Sequence, residues 1–210
     1  MFQVVAWWSH RQKNVRRTKP VAVPSPLLEP QPDHLAGDIH VGFLTILEEE
    51  SGILGGYLVT NHWGRPLEFR LSSAVRPNKM QQILYGDTLL RYICGDLIGK
   101  TLVEKANVPV QLIVTDREAV LALRLSVNLP VIWVASADAP IESALRVVRP
   151  AEHGRGPILC HPNHIVNDRD SARDRLAQVD SAVDVAEPFE RIRAAIAEAR
   201  KLGVGGRAAA

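Results

Sequence analysis

The order of the apolar patterns between residues 39 and 134 constrains the fold of this chain more than any other feature. Three runs rich in β-favouring residues come first, and short turns at Ser51-Gly52 and around Gly64 separate them. Such runs predict three strands in an antiparallel meander. Their sequences are IHVGFLTILEE, GGYLVTN and PLEFRLSSAV. In the third run, three apolar residues are predicted on one face and two charged residues on the other: Leu67, Phe69 and Leu71, then Glu68 and Arg70.

From residue 77 the period of the apolar pattern changes to three and four, which predicts an amphipathic helix. Gly86-Asp87 is expected to divide this helix in two, with Asp87 capping the second part. The predicted buried face consists of Met80, Ile83, Leu84, Leu90, Ile93, Leu97, Ile98 and Leu102.

Two continuous apolar runs, VQLIV and LPVIWVAS, follow this helical region, and a short helical run over residues 117–125 lies between them. Continuous apolar strands are typical of strands buried on both faces and parallel to a neighbour. The predicted order is β-β-β-α-β-α-β, a mixed sheet flanked by helices in an α/β fold.

Composition fits one globular domain with tails. The chain has 210 residues, 46% of them hydrophobic and 23% charged, with a formal net charge of +2. The apolar runs are far shorter than the ~20 residues that a membrane span needs, and the small net charge does not by itself indicate nucleic acid or anionic lipid. Only two cysteines, Cys94 and Cys160, are present, which makes a disulfide framework improbable and favours a reducing, cytoplasmic setting.

The N-terminal residues are basic and proline-rich. No acid precedes Glu29, and a proline-rich stretch follows the basic residues, so residues 1–36 are expected to form a flexible arm. A single domain is predicted over residues 37–203, with a frayed tail at 204–210. If the arm contacts nucleic acid or anionic lipid, the binding residues are Arg11, Lys13, Arg16 and Arg17.

Residues 41–134 resemble the ribonuclease H-like superfamily. The shared features are the order of the elements, a Gly-Gly-Tyr that opens the second strand, an Asn shortly before the helix, and Thr115-Asp116 at the end of a buried strand. The resemblance implies three acids that hold two divalent metals, and Asp116 lies where the third is expected. The sequence departs from this pattern at two places: Gln81 stands where the family has Glu, and the first strand has no internal acid. The nearest acids to that strand are Glu48, Glu49 and Glu50.

Several roles are open for Asp116. Two-metal cleavage of a phosphodiester needs carboxylates that hold cations ~3.5–4 Å apart, and a neutral amide such as Gln81 is a poor substitute. In a nuclease, Asp116 would bind Mg²⁺ or Mn²⁺ together with Glu48 or another nearby acid. Alternatively, an Asp directly after a buried strand caps the helix that follows.

A second group of candidate ligands is Cys160, His161 and His164, which are expected in a loop after Arg149 with His153 nearby. Zinc sites use these residue types, but usually as two separated pairs, and only one cluster is visible. A loop ordered by its prolines, with surface histidines, is the alternative.

Further along the chain, residues 168–179 predict a short exposed helix, and EPFERIRAAIAEARKLG predicts an amphipathic helix that packs on the sheet or binds a partner. Its apolar face is Phe189, Ile192, Ile196, Ala199 and Leu202, with Glu190, Arg193, Arg200 and Lys201 facing away.

Two classes of function follow from these observations. The first is a non-catalytic module that binds a protein or nucleic-acid partner and needs no cofactor. It predicts an Asp116 without acidic neighbours and an exposed apolar patch or basic stripe. The second is a divergent nuclease that depends on Mg²⁺ or Mn²⁺, and it predicts acids that converge on Asp116. The missing acids favour the first class.

Overall fold

The structure is a computed structural model, and it describes residues 4–9, 39–139, 146–149 and 156–201. One mixed sheet of eight strands runs through these residues in the order β1-β4-β3-β2-β5-β6-β8-β7. The strands are β1 (Val4–Ser9), β2 (Val41–Glu49), β3 (Gly52–Thr60), β4 (Pro66–Ser72), β5 (Leu112–Thr115), β6 (Val131–Val134), β7 (Arg146–Arg149) and β8 (Ile158–Cys160).

The five central strands have the ribonuclease H-like arrangement that the sequence predicts. Strands β2, β3 and β4 form the antiparallel meander. Strand β5 pairs in parallel with β2, and β6 pairs in parallel with β5. Every residue of β5 is buried, as expected for a strand with neighbours on both edges and helices on both faces. The α/β fold class is therefore confirmed.

Three outer strands that were not predicted, β1, β7 and β8, extend the sheet at its two edges. Strand β1 pairs antiparallel with β4, so six residues of the segment predicted to be an arm form a sheet edge. At the other edge, β8 pairs antiparallel with both β6 and β7. The prediction that Cys160 lies in a loop is wrong, because this residue ends β8. The predicted domain limits at residues 37 and 203 lie outside the described residues and stay predictions.

The helical segments lie on both faces of the sheet. None of those in the described part of the chain is long and apolar enough to cross a membrane. The α-helices are α1 (Lys79–Tyr85), α2 (Leu89–Arg91), α3 (Lys100–Glu104), α4 (Ile165–Leu176) and α5 (Glu187–Lys201). A π-helix, Tyr92–Gly99, joins α2 to α3, and 3₁₀ segments occur at Gly86–Thr88, Glu118–Leu125 and Pro162–His164.

A separate hydrophobic core lies on each face of the sheet. On one face, the π-helix and the 3₁₀ segment Glu118–Leu125 pack on side chains such as Leu44, Ile46 and Ile113. On the other face, α5 packs on side chains such as Phe43 and Val114. The prediction that α5 packs on the sheet is confirmed, since its buried residues are Pro188, Phe189, Ile192, Ile196 and Ala199.

Two glycines in β3 allow helices to approach the sheet closely. A Cβ atom at Gly55 would overlap the Ile98 side chain of the π-helix, and one at Gly56 would overlap the Ile192 side chain of α5. Because successive residues of a strand point to opposite faces, the Gly-Gly pair accommodates one helix on each side. This packing brings Ile192 of α5 onto the sheet at Gly56, which is paired with Thr45 of β2.

The predicted buried face of the first helical region is only half right. Ile93, Ile98 and Leu102 are buried, whereas α1 contains no buried residue at all. Helix α1 ends at Gly86, which has a φ of 50°. The position of this break agrees with the prediction, but no side chain caps the segment after it, so the capping role predicted for Asp87 is wrong.

The charged face of β4 is buried. Glu68 is 1% exposed and Arg70 is 7% exposed, because α3 and the chain that follows it cover this face. The Glu68 carboxylate accepts from Arg70 Nε at 2.7 Å and from the backbone N–H groups of Asn107 and Val108 at 2.8 and 2.9 Å. A buried carboxylate therefore anchors the loop that leads into β5.

Candidate functional site

Asp116 directly follows β5, at the edge of the sheet where the parallel strands end. Its carboxylate forms an ion pair with the Arg193 guanidinium of α5, and 15% of its side chain is exposed. Its second oxygen, Oδ1, is buried and has no hydrogen-bond partner among the described residues. Arg193 was predicted to face away from the sheet, and that prediction is wrong.

Asp116 does not cap the segment that follows it. The 3₁₀ segment begins at Glu118, and no side chain caps it. The Arg117 N–H instead donates to Thr115 Oγ1 at 3.1 Å. The capping role considered for Asp116 is therefore wrong, because its carboxylate points toward α5 and not along the chain.

The strand register determines which residues can approach Asp116. Leu44 on β2 is paired with Thr115 on β5, and paired residues point to the same face. The next residue on each strand therefore points to the α5 face, which places Thr45 beside Asp116. Thr45 is fully buried, and its Oγ1 has no hydrogen-bond partner within the described ranges.

Glu48 lies on the opposite face of the sheet from Asp116. It is an even number of residues from Leu44, so it shares the face of the π-helix. Burial raises the pKa of the Cys94 thiol of that helix to about 12, and the nearby Glu48 charge contributes to the increase. The structure therefore does not bring together Asp116 and Glu48, the pair that a metal site in a nuclease was expected to use.

Glu49 does face α5, and it is also paired with an arginine. Its carboxylate forms an ion pair with Arg200, seven residues after Arg193 on the same helix. A separation of seven residues is two helical turns, so both guanidinium groups lie on one side of α5. The two acids that end neighbouring parallel strands on this face are thus each held by a cation from α5.

These residues do not fit a two-metal site. Within residues 4–9, 39–139, 146–149 and 156–201, no group of three or more His, Cys, Asp or Glu side chains is placed to hold a metal ion. Gln81, at the helix position where the resemblance implies an acid, has a structural role. It accepts from the Asn78 N–H at 2.9 Å and donates its own N–H to Asn78 Oδ1 at 2.8 Å, which forms a capping box for α1.

The zinc candidates lie near one another but do not form a ligand set in the described part of the chain. Burial raises the pKa of the Cys160 thiol to about 11. The rings of His161 and His164 are 5.9 Å apart, and the Asn163 N–H donates to His161 Nδ1 at 3.3 Å. His153 lies outside the described residues.

The candidate basic residues Arg11, Lys13, Arg16 and Arg17 also lie outside the described residues. The structure therefore does not test their predicted contact with nucleic acid or lipid.

An exposed apolar surface, which was not predicted, lies on α1. Met80 is 63% exposed, Ile83 66% and Leu84 73%. These residues were predicted to belong to the core because their spacing matches an amphipathic helix. The signal that could have identified them is Gly86, because a break there lets α1 leave the line of the π-helix that packs on the sheet.

Comparison with known proteins supplies no family for this chain. No family model matches it, and no curated protein matches it. A solved structure of an Endonuclease V from Streptomyces avermitilis is similar, with 15% sequence identity over 80% of this chain and 84% of that chain, and a TM-score of 0.49.

Proposed function

We propose that this chain is a non-catalytic binding module of ribonuclease H-like shape. The ion pair between Arg193 and Asp116 is the observation that supports this proposal most directly. An acid that binds Mg²⁺ needs its oxygens free and further anionic oxygens nearby. Asp116 instead has a guanidinium on one oxygen and the neutral Thr45 beside it on the neighbouring strand.

The exposed apolar residues of α1 supply the binding surface. Soluble monomers rarely expose large contiguous apolar patches, and such patches mark sites of interaction with proteins or membranes. The separation of Met80, Ile83 and Leu84 by three and four residues places them on one face of the helix. We infer that this face is the contact surface of the module and that it binds protein.

A divalent-metal-dependent nuclease is the second candidate. Asp116 Oδ1 is buried without a hydrogen-bond partner among the described residues, which favours a metal role for this oxygen. Glu49 lies on the same face of the neighbouring strand, four residues beyond the position level with Asp116. Such a role requires Arg193 and Arg200 to leave both carboxylates. Four residues of a strand span about 13 Å, so the two acids are too far apart to share a two-metal site even after both arginines turn away.

A cleavage assay separates the two candidates. Single-stranded, double-stranded and branched DNA and RNA would be incubated with the full chain in Mg²⁺ or Mn²⁺, beside the Asp116→Asn variant. The binding-module proposal predicts background cleavage from both proteins. Cleavage that depends on the metal and is lost in Asp116→Asn would establish the nuclease and overturn the proposal. Circular dichroism of the variant controls for folding.

A further inference from the structure

The turn between β3 and β4 holds an exposed tryptophan in a fixed position. Asn61 Oδ1 accepts from the backbone N–H groups of Trp63 and Arg65, at 3.1 and 3.0 Å. The carbonyl of Gly64 accepts from Arg191 of α5 at 2.9 Å, which anchors the turn on that helix. The Trp63 side chain is nevertheless 56% exposed. An aromatic ring that is both exposed and fixed loses little conformational entropy when a ligand packs on it.

Two other planar groups lie against this ring. The centroids of the His62 and Trp63 rings are 4.0 Å apart, and the Arg65 guanidinium carbon lies 5.6 Å from the Trp63 ring centroid. Arg65 is exposed and forms no ion pair with any other residue that the structure describes. We define the Trp63 platform as His62, Trp63 and Arg65. It combines an exposed aromatic ring with a cation that has no counter-ion in the described structure.

The segment that packs on this turn carries three acids, and each of them contacts another group. Glu187 forms an ion pair with Arg191 at 2.9 Å. The carboxylates of Asp180 and Asp184 each accept from the backbone N–H two residues later, at 2.8 and 2.9 Å. None of the three pairs with Arg65, so the charge of this arginine is left for a ligand.

The basic N-terminal segment leaves and rejoins the sheet at the same end as the platform. Strand β1 runs toward this end, and its last residue, Ser9, is paired with Glu68 near the start of β4. Val41, the first residue of β2, is paired with Thr60 of the strand that enters the turn. Residues 10–28 contain five Lys and Arg residues and no acid. Positive charge is therefore joined to the end of the sheet that carries the platform.

We propose that the Trp63 platform binds single-stranded nucleic acid. An unpaired base stacks on Trp63, and Arg65 contacts an adjacent phosphate. Stacking on a tryptophan accepts any base, and it favours single strands because the bases of a duplex already stack on one another. Tryptophan and arginine are also frequent in protein interfaces, but the positive charge joined to this end of the sheet favours a polyanion. This site is separate from α1 and goes beyond the proposed function.

Fluorescence anisotropy of labelled oligo(dT) and oligo(U) tests the site on the full chain, in EDTA so that no divalent metal contributes. The wild type should bind both single strands with saturation, and a duplex more weakly. Trp63→Ala should weaken single-strand binding about 5- to 100-fold, the range found when one stacked base is lost. Trp63→Phe should retain most of the affinity, because it keeps an aromatic face.

Arg65→Ala should weaken binding and also reduce its dependence on salt. Loss of one phosphate contact should lower the slope of log Kd against log salt concentration by about 0.7. Ile83→Ala and Lys79→Ala are the matched controls, since both side chains are exposed on α1. That helix follows Val75, which is paired with Ile53 at the other end of β3, so both controls should bind like the wild type.

A wild type that binds neither oligonucleotide would overturn the proposal, even if the turn binds a protein. Binding that Trp63→Ala and Arg65→Ala leave unchanged would overturn it as well, because the basic segment alone would then account for the affinity. Equal affinity for single strands and duplex would contradict stacking on Trp63. Since no cleavage occurs without a divalent metal, none of these results bears on the proposed absence of nuclease activity.

Discussion

Arg193 and Asp116, which are 77 residues apart in the chain, form an ion pair between α5 and the end of β5. This contact joins the last helix of the described structure to the carboxyl edge of the central sheet. Glu49 and Arg200 repeat the arrangement on the neighbouring strand. Both carboxylates on this face are therefore neutralised by guanidinium groups from α5.

Removal of Arg193 should destabilise the protein. Arg193→Leu leaves the largely buried Asp116 carboxylate without its cation, and we expect the free energy of unfolding to fall by about 1–3 kcal/mol. The double variant Arg193→Leu/Asp116→Asn should recover most of this loss, because no unpaired charge remains. Urea denaturation of the four proteins in this cycle measures the coupling. Additive effects of the two substitutions would show that the ion pair contributes nothing.

Thr45→Val should stabilise the protein. The Thr45 hydroxyl is buried without a hydrogen-bond partner among the described residues, and burial of such a group costs about 1–3 kcal/mol by mutational measures. Thr115→Val on the paired strand is the matched control, because Thr115 Oγ1 accepts from the Arg117 N–H and its removal should destabilise. Thermal unfolding should therefore give Tm shifts of opposite sign. A decrease in Tm for both variants would contradict the account.

Glu68→Gln should cost much more stability than a comparable change at the surface. The Glu68 carboxylate accepts from Arg70 and two backbone N–H groups, and removal of its charge leaves Arg70 unpaired in the core. The expected loss is about 3 kcal/mol in urea denaturation. Glu104→Gln is the control, since Glu104 pairs with Lys100 at 3.9 Å on the surface and its substitution should cost no more than about 0.5 kcal/mol. Equal losses would contradict a structural role for Glu68.

Stability should decrease in mild acid because of His161. Burial lowers the pKa of this imidazole, and the neighbouring His164 and Arg91 lower it further. Since the unfolded chain then binds the proton more tightly, the contribution of His161 is present above about pH 6.5 and is lost as the pH falls through the lower folded pKa.

The variant His161→Asn keeps an acceptor for the Asn163 N–H and does not titrate. Measured between pH 5 and 7.5, its stability should depend on pH less steeply than that of the wild type. Identical slopes for the two proteins would show that His161 is not responsible.

The central fold could be predicted because its signals are local. Alternation identified β2, β3 and β4, and continuous apolar runs identified β5 and β6 as internal parallel strands. The short strands β7 and β8 were missed because three or four residues carry too little pattern to distinguish them from a loop.

The candidate site could be predicted only in part, since it depends on contacts between distant segments. The sequence placed Asp116 at the end of a buried strand, but it did not show that the helix carrying Arg193, 77 residues later, crosses the sheet at that strand end. The exposure of the apolar face of α1 was missed for a related reason. The spacing of Met80, Ile83 and Leu84 shows that they share a face, but it does not show whether the chain itself covers that face.

Titration of the full chain with Mn²⁺, followed by the electron paramagnetic resonance signal of the free ion, shows whether this edge of the sheet binds a divalent metal. Because the Asp116 carboxylate is paired with Arg193, and no group of three or more metal-ligating side chains forms among the described residues, we expect no saturable site that differs between the wild type and Asp116→Asn. A stoichiometric Mn²⁺ site that Mg²⁺ displaces, and that Asp116→Asn abolishes, would show that this edge of the sheet binds metal and would contradict the account.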